Sequence, residues 1–203
     1  MLFIVQLDYD PATLDYRAEL QQLAASHPDI VLAVTYPEDG SILFKQASHI
    51  EGLDEIAWLG CDGNFGEGIF EDPECAAFME KTIVAGTITS GPNPEEYAPY
   101  KELLDAYEAK TGTSGAQAPY IDTTYDAVML VAKAIEKAGV YDGKAIREAL
   151  IELGQNYEGT SGIVSFNDIG DRMSGFMKVW KVEKDPNATY GYTNVAVKIV
   201  PVG

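Results

Sequence analysis

The run Ile30-Val31-Leu32-Ala33-Val34-Thr35 constrains the fold of this chain more than any other feature. It is uncharged, of strand length and apolar at both odd and even positions, the pattern of a parallel strand covered on both faces. Ile56-Ala57-Trp58-Leu59 repeats the pattern, and Thr82–Thr89 reads as a third strand. Amphipathic stretches separate these runs. Cap chemistry at Asp10-Pro11-Ala12-Thr13 opens a helix with Tyr16, Leu20, Leu23 and Ala24 on one face, ended by His27-Pro28-Asp29. A second helix carries Leu43, Ala47 and Ile50, a short one spans Pro73–Met79, and another carries Tyr100, Leu103, Leu104 and Tyr107. Residues 1–7 read as a further strand. Such alternation up to about residue 110 implies an α/β fold with a doubly wound, mostly parallel sheet. A small, Gly-rich stretch over 111–118 reads as a loop or hinge. Helices at about 123–138 and 143–153 follow, then a short strand at 162–166, and strands 176–183 and 193–200 form a C-terminal β-hairpin.

Charge excludes several partners. Asp and Glu number 32 against 14 Lys and Arg, a formal net charge of -18. Such a surface repels nucleic acid and anionic lipid, and its plainest role is to keep the chain soluble. No segment approaches the roughly 20 apolar residues that span a bilayer. The start, Met1-Leu2-Phe3-Ile4-Val5-Gln6, lacks the basic region and apolar length of a signal peptide. Either a leader has been removed or the chain begins partway through a longer protein.

Enzyme signatures are missing from the sequence: it has no G-x-S-x-G, no H-E-x-x-H and no Walker A motif, so the expectation is no enzyme and no cofactor. Cys61 and Cys75 form no CxxC pair and only His27 and His49 could join them, which argues against zinc. Both histidines fall near helix ends, where they suit the dipole. The stretch Asn64, Gly66, Glu67, Gly68, Glu71, Asp72 has calcium-ligand chemistry without EF-hand spacing, so no metal site is assigned there.

In open α/β sheets ligands bind beyond the carboxyl ends of the parallel strands. Two loops leave consecutive strands at that edge: Tyr36-Pro37-Glu38-Asp39-Gly40 and Cys61-Asp62-Gly63-Asn64-Phe65. They offer aromatic rings, carboxylates and glycines, and contain no Lys or Arg. That chemistry suits an ammonium, which a carboxylate binds by charge-assisted hydrogen bonds and an aromatic face by cation–π attraction. It does not suit phosphate. The plainer alternative has Asp62 capping a turn and Tyr36 packing over the sheet.

Four stretches, in order, resemble type I periplasmic binding proteins of branched-chain amino-acid (Leu/Ile/Val) ABC transporters. They are Tyr9-Asp10-Pro11 through Ala18-Glu19-Leu20; Thr35-Tyr36-Pro37-Glu38-Asp39-Gly40; Leu59-Gly60-Cys61-Asp62-Gly63; and Tyr125-Asp126-Ala127-Val128 through Ala138-Gly139. The last continues through Ile146–Leu150 to Tyr157-Glu158-Gly159-Thr160-Ser161-Gly162, with Phe166, Gly170 and Asp171. Cys61, where many relatives have a small residue, and the long tail Lys184–Gly203 depart from the pattern.

The resemblance implies an extracytoplasmic solute-binding component, periplasmic or a cell-surface lipoprotein, that delivers an amino acid or similar small solute to a membrane permease. A ligand-sensing module on the same fold is the alternative. It implies an aromatic ligand contact at Tyr36 and an acidic one at Asp62, the latter on the ligand's ammonium; Gly63 and Phe65 of the same loop are the further candidate ligand contacts. Residues 1–118 and 174–203 then correspond to the family's second lobe, and 119–173 to the end of the other lobe, whose N-terminal half is absent here. An oxidising compartment leaves a Cys61–Cys75 disulfide and two free thiols both open. The apolar stripe Val128, Val131, Ile135, Ile146, Leu150 and Leu153 is expected to seek a cover, by self-association or a complementary N-terminal lobe.

Overall fold

A computed structural model describes residues 5–203. Of the expected first strand, residues 1–4 lie outside the described residues, and 5–7 have no regular structure. The chain divides into two compact units, 5–88 with 179–197, and 89–178 with 198–203.

The first unit alternates strand and helix as expected. Helix α1 is Arg17–Ala25, strand β1 Ile30–Leu32, helix α2 Pro37–Ala47, strand β2 Ala57–Gly60, helix α3 Pro73–Thr82 and strand β3 Ile83–Ser90. Strands β1, β2 and β3 pair in parallel, with Val31 beside Trp58 and Trp58 beside Ile83. Strands β6 (Gly175–Lys184) and β7 (Tyr192–Val202) extend the sheet to the order β1-β2-β3-β6-β7. Residues 185–191 join the last two strands. A connection so short cannot return for a parallel pairing, so the pair is the expected hairpin.

One face of this sheet carries the core. Trp58 is buried, its ring edge-on to Phe44 and Phe78, and its indole N–H donates to the Leu53 carbonyl at 2.9 Å. Trp180, on β6, packs against Gly60 of β2 and Gly86 of β3. A Cβ on Gly60 or Gly86 would come within 2.7 or 2.1 Å of its ring, so both strands carry glycine there. On the opposite face Ile30, Leu32, Val34 and Val84 are all more than half exposed. The reading of Ile30–Thr35 as covered on both faces is thereby corrected. Regular strand ends at Leu32, Val31 and Ala33 turn into the core, and among the described residues nothing covers the other side.

The second unit holds α4 (Ala98–Thr111), α5 (Ile121–Ala138), α6 (Gly143–Leu153) and an antiparallel hairpin of β4 (Tyr157–Gly159) and β5 (Gly162–Val164). Asp142 caps α6 by accepting from the Ala145 amide at 2.9 Å, and Gly139, in the left-handed region, ends α5. Leu130, Ala134 and Ala149 are buried, whereas Val128, Val131 and Ile135 on α5 stay exposed. The buried Asp126 carboxylate accepts from the amides and hydroxyls of both Thr160 and Ser161, tying the β4–β5 turn to α5. Arg172 donates to the Ser161 hydroxyl and carbonyl, both at 2.8 Å. Residues 89–118 cluster with this unit, so the expected boundary after 118 falls inside it. Tyr97 shows why: its hydroxyl donates to the Gly159 carbonyl at 2.7 Å.

Candidate functional site

Beyond β1 the chain stays extended through Ala33, whose amide still donates to the Leu59 carbonyl, and reaches Tyr36. The stretch Tyr36–Gly40, expected as a loop, is the first turn of α2. Tyr36 is its N-cap, Pro37 occupies the first helical position, and Asp39 folds back to accept from the Tyr36 amide at 3.0 Å. Asp39 is buried and faces inward, while the Tyr36 side chain is 74% exposed.

The strand β2 ends at Gly60 and a single 3-10 turn follows over Asp62–Asn64. Asn64 is fully buried and ties this turn to the end of β1. Its carbonyl oxygen accepts from the Cys61 amide at 2.9 Å, and its amide nitrogen donates to the Thr35 hydroxyl at 2.5 Å. Gly63 lies against the same segment: a Cβ there would stand 1.9 Å from the Thr35 carbonyl oxygen and 3.3 Å from the Tyr36 Cα. Only glycine lets the two turns approach this closely. Asp62, on the outer side, is exposed and accepts from the Gly63 amide at 3.1 Å.

Three of the four expected ligand residues therefore converge: Tyr36, Asp62 and Gly63. Phe65 does not. It is 4% exposed and packs edge-on against Trp180 with ring centroids 5.8 Å apart, so its ring lies in the core and does not stand on the outer side with Tyr36 and Asp62. The cysteines are likewise not paired. Cys61 faces the Thr35 carbonyl at 3.6 Å, whereas Cys75 lies inside α3 against the Met79 sulfur at 3.7 Å. Burial pushes the Cys75 thiol up to about 12. The residues with calcium-ligand chemistry are spent elsewhere: Asn64 on the turn, and Asp72 on capping α3 and on the Lys45 ammonium at 2.6 Å. Among the described residues no group of three or more His, Cys, Asp or Glu is placed to hold a metal ion.

Sequence reasoning missed Asn64 and Thr35 as the stitch between the turns, and Asp39 with Tyr9 beneath Tyr36. The Tyr9 hydroxyl donates to the second Asp39 oxygen. Burial and the neighbouring carboxylate hold that phenol well above its ordinary pKa. The spacing of Asp39 three residues after Tyr36 was the available signal, since a carboxylate at that position reaches back to the cap amide.

The arrangement places the exposed Asp62 and the exposed Tyr36 on two closely approaching turns at the carboxyl edge of parallel strands, with no basic residue in either turn. Comparison with known proteins gives it a setting. The chain is 29% identical over 182 residues to the leucine-, isoleucine-, valine-, threonine- and alanine-binding protein of Pseudomonas aeruginosa, covering 86% of this chain and 44% of that protein. Its fold matches a leucine binding protein of Thermotoga maritima with a TM-score of 0.72 at 21% identity, over 93% of this chain and 49% of that one. It also matches a Rhodopseudomonas palustris solute binding protein in complex with 4-hydroxybenzoate, with a TM-score of 0.68 at 19% identity, over 96% of this chain and 51% of that one. The chain thus spans about half the length of these relatives. Residues 3–187 match the family model for periplasmic binding proteins, and the chain belongs to that family.

Proposed function

We propose that the chain forms part of the ligand cleft of an extracytoplasmic solute-binding component of an ABC transporter, serving a membrane permease and not catalysing a reaction. The ligand is an amino acid or a similar small solute carrying an ammonium. The observation that supports this most directly is the exposed Asp62 on the turn after β2, next to the turn that carries the exposed Tyr36, with no Lys or Arg in the sequence of either turn. Asp62 accepts hydrogen bonds from the ammonium, the Tyr36 ring flanks it, and Gly63 lets the ligand approach the backbone. Groups for the ligand's carboxylate are not among Tyr36, Asp62 and Gly63, so the complete site draws on further residues.

Half a site binds weakly, so the test is an amide NMR titration of the chain with leucine, where affinity of roughly millimolar order is still measurable. Shifts centred on residues 36, 62 and 63 are expected, and Asp62→Asn should abolish them. Benzoate, which has no ammonium, should leave those amides unmoved. Shifts that survive Asp62→Asn, or that benzoate produces and leucine does not, would overturn the reading.

A further inference from the structure

The exposed Tyr36 ring stands on an unusually well-fixed piece of backbone. Its amide donates to Asp39 at 3.0 Å, and its carbonyl accepts from the Gly40 amide at 2.8 Å. The Asp39 carboxylate is 6% exposed and divides its two oxygens between the Tyr36 amide and the Tyr9 hydroxyl. Tyr9 is anchored in turn. Its ring meets Tyr16 edge-on at 5.1 Å, and Tyr16 is a buried core residue whose amide donates to the Gln46 side chain on α2 at 2.7 Å.

A buried carboxylate is costly without partners, and here the helix N-terminus, one amide and one phenol supply them. Without the phenol one oxygen would seek water, and the carboxylate would swing from the Tyr36 amide to reach it. We infer that Tyr9 and Asp39 act as a positioning pair: the Tyr9 hydroxyl locks the Asp39 carboxylate against the Tyr36 amide and so fixes where the Tyr36 ring stands for the ligand. The inference rests on the ligand role of Tyr36 proposed above. Neither residue touches the ligand.

The test reads hydrogen exchange at the Tyr36 amide in the whole chain, with leucine titrated separately. Tyr9→Phe keeps the ring and removes only the hydroxyl. It should speed exchange at Tyr36 by about tenfold or more while leaving the Leu43 and Ala47 amides of α2 unchanged. Asp39→Ala should do the same. Asp39→Asn keeps an acceptor for the amide and a partner for the phenol, and should restore protection, which general damage to the helix would not allow. Where leucine binds, Tyr9→Phe should weaken it about tenfold without lowering the melting temperature in proportion. Unchanged Tyr36 exchange in Tyr9→Phe, or equal acceleration along all of α2, would overturn the positioning role. Accelerated Tyr36 exchange in a protein that never binds leucine would uphold the pair and instead remove the ligand reading beneath it.

Discussion

At the scale of single residues, burial decides which groups react and which resist. Cys75 is completely buried and its thiol is pushed to about 12, whereas Cys61 is half-buried at the site turn. Native protein treated with iodoacetamide near neutral pH should therefore be modified at Cys61 alone, and the denatured, unreduced protein at both, as peptide mass mapping would show. Failure to label either thiol in denatured protein would mean that the two are bonded. Asp122 is a second such residue. It is 2% exposed and one of its oxygens lacks a hydrogen-bond partner. Desolvation raises its pKa, with the Asp126 charge adding to the effect and Arg172 opposing it. A carboxyl raised in the folded state contributes its stability below the unfolded value near 4 and loses it as pH rises through the folded value. Asp122→Asn should consequently stabilise the protein by about 1 kcal/mol at pH 7–8, and the gain should vanish toward pH 4. Urea denaturation at the two pH values measures it, and equal effects at both would contradict the assignment.

Among the elements, the strands and helices of the first unit were legible because each carries its own signal: a short apolar run, a cap or a 3.6-residue stripe. What each strand faces was not legible. Ile30, Leu32 and Val34 look as buried as Val31 and Ala33 in the sequence, yet they line the open side of β1. In the second unit Val128, Val131 and Ile135 form a like surface on α5, whereas Ile146, Leu150 and Leu153 are partly covered. A parallel sheet rarely leaves one face to water. In a purified sample other copies of the chain are the surfaces on offer, so light scattering during size-exclusion chromatography should give a mass above 22.0 kDa. The excess should grow with salt, which screens the net charge of -18 that opposes association. Leu32→Ser with Val34→Ser should shift the population toward monomer with little loss of melting temperature. A monomer at every concentration and salt would show that these faces stay open.

For the molecule as a whole, the legible and illegible parts of the site divide along the chain. Tyr36 and Asp62 could be placed because topology alone brings the ends of adjacent parallel strands together. Phe65 could not, because its direction is set by Trp180 on a strand near the chain's end. The Tyr9–Asp39 contact joins residues 30 apart, and no local pattern announces it. The same division explains the modest chemistry at Tyr36, Asp62 and Gly63. In the proposed reading they offer an ammonium partner, an aromatic surface and backbone access, and the relatives that the chain matches are about twice its length.

Trp180 carries one more consequence. The protein has two tryptophans, Trp58 and Trp180, and both indoles are sealed from water. The Trp58 indole N–H has a carbonyl partner, while that of Trp180 lacks a hydrogen-bond partner among the described residues, so the two rings differ in their polar contacts. Trp180 packs against Phe65, the residue that closes the turn bearing Asp62. The chain thus holds an intrinsic fluorophore one aromatic contact away from its candidate binding turn, and a second one inside the core to serve as internal reference.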